Sequence, residues 1–143
     1  MPSFGLKSMT NLQTCHRDLQ TVLHEAILYY DFSVVFGHRS TEVQFELFKK
    51  GRKLVNDKLV VKQANEVVTF KDGTEKRSRH NFEPSKAVDI IPYPSGWSNK
   101  KEFYYMAGVI MTIAGQALRE GKIEYAITWG GTWQWKDLPH FQI

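Results

Sequence analysis

Residues 87–91, AVDII, set an aspartate inside a short apolar run that Pro92 and Pro94 stop. Such a run, β-branched and bounded by prolines, reads as a buried strand. His80 stands nine positions before Asp89, across the loop of SRHNFEPSKAVDII. Two readings of the pair are open: a loop histidine ahead of a strand aspartate, or two ligands of one metal ion.

Other elements can be laid around that strand. Leu19, Val22, Leu23, Ala26, Ile27 and Tyr30 recur at helical spacing and predict an amphipathic helix over roughly 15–30. FSVVF (32–36) is a short strand that Gly37 ends. Ser40 or Thr41 can cap a second helix running to about Lys50, with Gly51 just beyond it and Val43, Leu47 and Phe48 as its buried side. Residues 52–79 form a long basic excursion, in which LVVK and VVTF read as short strands and Lys71-Asp72-Gly73 as a turn. Asn99 with Glu102 resembles a capping box for a third, strongly apolar helix that Gly121 ends. EYAITW (124–129) and HFQI (140–143) are the last two strand candidates. Helices and strands are mixed with few crossovers of βαβ length, so the fold class is α+β.

A chain of 143 residues fits one domain and can bury a core without staples. Its 42% hydrophobic and 24% charged residues are those of a soluble globular protein. Cys15 is the lone cysteine, which excludes an internal disulfide and a cysteine-rich metal site and suits a reducing cytoplasm. Any metal must be held by histidines and carboxylates. The formal charge of +4 leans towards anionic partners, yet no nucleic-acid-binding signature accompanies it. The N-terminal MPSFGLKSMTNLQT lacks the apolar core of a secretory signal, and Phe103–Leu118 falls short of the roughly 20 residues that span a bilayer. The expectation is therefore synthesis in the cytoplasm and no stable membrane association.

Of the five histidines, His16 and His24 share a helix face eight residues apart, too far to chelate one ion, and read as structural; His38 reads as a turn residue beside Arg39. His80 and His140 each have a carboxylate nearby, Asp89 for the first and Asp137 for the second, in Asp137-Leu-Pro-His140. Pro139 stiffens that last turn. Catalytic zinc needs about three protein ligands and one open position, and it acidifies water to a pKa near 7. His80, Asp89 and His140 could supply the ligands and Asp137 the general base. Spacing alone is a weak signal, because the helical H-E-x-x-H motif is absent. Arg39, between a strand and a helix start, is suited to gripping a carboxylate.

GHRS, SRHNFEPSKAVDIIPYP and WGGTWQWKDLPHFQI, in that order, resemble zinc peptidases of the D-alanyl-D-alanine carboxypeptidase and L-alanyl-D-glutamate endopeptidase family, and among them the small phage endolysins. The resemblance spans nearly the whole chain. It implies one zinc peptidase domain over 1–143, of the Hedgehog/D-Ala-D-Ala peptidase type, with a central antiparallel sheet flanked by helices. The family pattern S-x-H, gap, A-x-D falls on Ser78, His80, Ala87 and Asp89, and D-x-x-H on Asp137 and His140. By that match Zn2+ is bound by His80, Asp89 and His140, Asp137 is the catalytic base, and Ser78, Arg39 and Gln44 contact substrate. The gap between His80 and Asp89 is longer than the commonest form, and Ser85 replaces a frequent glycine. The implied substrate is the peptidoglycan stem peptide, cut by a monomer at the L-Ala–D-Glu bond. The implied setting is a phage endolysin made in the host cytoplasm and released by a holin to the periplasm and cell wall. A D-alanyl-D-alanine carboxypeptidase and a non-catalytic zinc-stabilised wall-binding module are the alternatives; the second would have no use for Asp137. A two-carboxylate glycosidase would need neither His80 nor His140.

Overall fold

The computed structural model describes residues 1–143. Four strands form the main sheet: β1 (Phe32–Phe36), β4 (Ala87–Pro92), β5 (Thr128–Trp129) and β6 (His140–Gln142). Their order is β1-β4-β6-β5, and every neighbouring pair is antiparallel. Helices α1 (Leu6–Leu12), α2 (Arg17–Ala26) and α4 (Lys100–Arg119) pack with it, and α3 (Thr41–Lys49) leads into a separate hairpin, β2 (Arg52–Val55) with β3 (Lys58–Val61). This is the α+β arrangement expected. No helix is long and apolar enough to cross a membrane.

The core explains the order of the layers. α2 buries Leu19, Val22, Leu23 and Ala26, and α4 buries Phe103, Met106, Ala107, Ile110, Ile113, Ala114 and Ala117. Both rows recur at i, i+3, i+4 and i+7, so each helix turns one stripe inward. They meet Phe32, Val34, Val88, Ile90 and Phe141 from the sheet in one continuous cluster. Asn99 caps α4 by accepting the Lys101 N–H at 3.1 Å, and Gly121 follows the helix at φ +71°.

Three expectations need correction, and one helix was not expected. The helix predicted over 15–30 is shorter, because His16 is its N-cap: Nδ1 accepts the Asp18 N–H at 3.1 Å. A further helix, α1, precedes it and buries only Ser8 and Leu12, too little to leave an apolar stripe in the sequence. VVTF forms no strand; the hairpin partners are Arg52–Val55 and Lys58–Val61, turning at Asn56-Asp57, both at positive φ. EYAITW is extended in a sheet only at its end, because the buried Asp18 carboxylate captures the Glu124 and Tyr125 N–H groups at 2.8 and 2.9 Å.

Candidate metal centre

Register brings the first two donors together. β4 and β6 pair with Asp89 directly opposite His140, and opposed side chains on antiparallel strands stand about 5 Å apart at Cβ. β1 slips register between Val34 and Phe36, which sets Phe36 beside Asp89 on the other flank.

His80 arrives from a 3₁₀ turn, Arg79–Asn81. Ser78 caps it: its Oγ accepts the His80 N–H at 3.2 Å, while the Ser78 N–H donates to Asn81 Oδ1 at 2.8 Å. The turn is laced to the GHRS loop, with the Arg39 N–H on the His80 carbonyl at 2.8 Å and Asn81 Nδ2 on the Arg39 carbonyl at 3.0 Å. The long gap is anchored too. Ser85 donates its N–H to the Thr14 carbonyl and accepts the His16 N–H, each at 2.8 Å, so NFEPSK folds against the α1–α2 junction and AVDII starts in a fixed place.

The three donors form a nearly equilateral triangle. His80 Nε2 lies 3.3 Å from His140 Nδ1 and 3.3 Å from Asp89 Oδ1, and His140 Nδ1 lies 3.2 Å from that same oxygen. All three residues are buried. Their outer atoms fix the tautomers. His80 Nδ1 sits 2.7 Å from the Gly37 carbonyl, and His140 Nε2 sits 2.9 Å from Gln142 Oε1. Each of these nitrogens faces an acceptor and carries the proton, so the opposite nitrogen turns a lone pair inward. Three lone-pair atoms in mutual contact repel unless a positive charge sits among them. A tetrahedral ion with bonds of about 2.0 Å separates its ligands by about 3.3 Å. The donor set fits such an ion.

The electrostatics agree. Burial alone would raise the Asp89 carboxyl, but the two histidines and the Arg39 charge more than offset it and hold it well below the usual carboxylate range. Burial pushes His80 down from the ordinary histidine value, favouring the neutral ligand form. Burial acts the same way on His140, but the bond to Asp89 outweighs it and raises the group.

Asp137 stands beside the triangle, its Oδ2 3.9 Å from His140 Nδ1 and its side chain 47% exposed. Burial of the rest raises its carboxyl. The turn that carries it is clamped twice, by the Asp137 N–H on the Gly130 carbonyl at 3.0 Å and by Trp129 Nε1 on the Leu138 carbonyl at 2.8 Å. Gly130 is required there, since a Cβ would lie 2.5 Å from the Asp137 carbonyl oxygen. Gln142, Trp129 and Gly130 therefore hold the site without having been singled out in the sequence. Gln142 had a signal: two residues after His140 on a strand, it shares that histidine's face.

The three expected substrate contacts are placed differently. Arg39, 11% exposed, pairs through Nη2 with Asp89 Oδ2 and through Nη1 with Gln44 Oε1 at 3.4 Å, its guanidinium over the Phe36 ring at 4.2 Å. Its guanidinium holds the Asp89 carboxylate and also lines the cleft. Gln44 is 0% exposed, and its Nε2 donates to Thr69 Oγ1 at 3.2 Å and the Lys71 carbonyl at 3.0 Å. Closed off from the cleft, it ties the excursion to Arg39. Gln44, not Val43, Leu47 or Phe48, is the fully buried residue of α3. Ser78 lines the cleft, with its Oγ engaged in capping.

The triangle opens into a cleft of about 1000 Å³. Its lining includes Lys50, Lys71, Arg77, Arg79, Lys100 and Lys136 against only two carboxylates, Asp89 and Asp137.

Residues 72–143 match a family described as D-alanyl-D-alanine carboxypeptidase. Among solved structures, that of the Serratia marcescens L-Ala D-Glu endopeptidase ChiX is similar at 30% identity and a TM-score of 0.66, over 98% of this chain and 88% of that one. No curated protein sequence matches.

Proposed function

The chain belongs to the D-alanyl-D-alanine carboxypeptidase family of zinc peptidases, and from that premise we propose that it is a zinc-dependent endopeptidase cutting the L-Ala–D-Glu bond of peptidoglycan stem peptides. The observation that carries this reading is the donor triangle of His80, Asp89 and His140 with Asp137 at its edge. The similarity to an L-Ala D-Glu endopeptidase favours that bond.

His80, Asp89 and His140 would hold the zinc. When bound, zinc supplies Lewis acidity that polarises a carbonyl and acidifies water. The chain's residues do the rest. The cationic lining draws in a stem peptide rich in free carboxylates and fixes its register. Asp137 accepts the proton of the attacking water and hands it to the leaving amine. Arg39 keeps Asp89 ionised and oriented, and the Gly37 carbonyl and Gln142 fix the two imidazoles. A wall-binding module that keeps ligands for stability alone has no need of a carboxylate held at this edge.

The same reading extends to the biological setting. The motif resemblance to small phage endolysins supports a monomeric lysis enzyme of one domain, made in the host cytoplasm and acting on the wall once the inner membrane is breached. Purified enzyme is expected to clear a peptidoglycan suspension, to lose that activity to 1,10-phenanthroline and to regain it with added zinc. Clearing that persists in the chelator would point to the glycosidase and sink the metal mechanism. Cells expressing the protein should lyse when their inner membrane is permeabilised; intact cells after that treatment would contradict the endolysin role.

A further inference from the structure

Resting on the L-Ala–D-Glu assignment above, we propose that Trp135 and Phe70 form a subsite for the sugar that carries the stem peptide. In peptidoglycan the L-Ala nitrogen is acylated by the lactyl group of N-acetylmuramic acid. One residue spans at most about 3.6 Å, so an enzyme that holds the L-Ala carbonyl at the donor triangle holds the muramyl ring against the adjoining wall. The loop after Gly131 provides that wall. Trp133 packs on His140 with ring centroids 5.2 Å apart. Two residues on, Trp135 is 76% exposed and faces Phe70, itself 58% exposed, at 6.1 Å and a tilt of 59°. All three rings line the cleft that contains His80, Asp89 and His140.

The Phe70 segment is held in place. Arg52 stacks on Phe48 at 3.9 Å and donates to the Thr69 carbonyl at 3.0 Å, and Gln44 bonds Thr69 and Lys71 on either side of Phe70. Two facing aromatic rings open to solvent, one on a braced segment, imply an occupant with an apolar face of matching size. The peptide offers none, because alanine, glutamate and a diamino acid have no large apolar side chain. A pyranose does: its ring presents a sheet of C–H groups to an aromatic face while its hydroxyl and acetamido groups point outward. Lys71, next to Phe70, also lines the cleft and supplies a donor for such oxygens.

The test compares two substrates with one scissile bond, a stem peptide N-acylated by N-acetylmuramic acid and the same peptide N-acetylated. Zinc-loaded wild type is expected to show a kcat/KM about tenfold higher for the muramyl substrate. Trp135→Ala should erase that preference while leaving the acetyl substrate within about twofold of wild type, and Trp135→Phe should retain most of it. The acetyl substrate reports folding of each variant. Equal rates on both substrates in wild type would overturn the sugar subsite, as would a Trp135→Ala loss equal on both. Failure of wild type to cut either substrate would remove the endopeptidase reading itself, and the subsite with it.

Discussion

Asp137→Asn is expected to lower kcat on stem-peptide substrate by about 10²–10⁴-fold while zinc content stays at the wild-type level. The two readouts separate because Asp137 is not one of the three converging donors: its Oδ2 lies 3.9 Å from His140 Nδ1, and its side chain is half open to the cleft. The amide keeps the shape of the carboxylate and the backbone bonds of the turn to Gly130 and His140, but it cannot accept a proton. KM should change little, because the removed interaction belongs to the transition state. A variant that turns over within about tenfold of wild type would show that another group is the base. Loss of zinc together with activity would instead make Asp137 a ligand.

His140→Ala is expected to abolish both zinc binding and turnover. Removing one apex of the triangle leaves two protein donors where a catalytic zinc needs about three. The neighbouring groups suffer as well, since Gln142 Oε1 loses its donor and Asp89 Oδ1 one of its two histidines. Metal saturation at about 1,000 times Kd stabilises a fold by about 4 kcal/mol, or roughly 10 °C in a domain of this size. Wild type should therefore melt at a higher temperature with zinc than without it, and His140→Ala should melt at one temperature in both conditions. His80→Ala should behave likewise. Retention of stoichiometric zinc by either variant would remove that histidine from the ligand set.

Much of this was visible in the residues, and what was not has physical causes. The strands FSVVF and AVDII and the long helix after Asn99 declared themselves by period and by caps. The donors were recognisable because each sits in a compact motif with its own carboxylate. Spacing could not reveal that Asp89 and His140 oppose one another, because register between strands 51 residues apart depends on the packing of both faces. VVTF has strand propensity, yet the Arg52 side chain takes the Thr69 carbonyl in place of a ladder, and Gln44 holds the Thr69 hydroxyl. Gln44 misled in the other direction. A glutamine near the start of a helix reads as solvent-facing, and here it is fully buried because Arg39, Thr69 and Lys71 satisfy its amide. The Arg39 guanidinium, expected to face the cleft, also grips Asp89 there.

Mass spectrometry of muropeptides after digestion bears most directly on what the site does. Fragments with a new N-terminal D-Glu, together with glycan left bearing L-Ala alone, are the expected products, formed only with zinc present. Loss of a terminal D-Ala with the L-Ala–D-Glu bond intact would contradict the endopeptidase and identify a carboxypeptidase in its place.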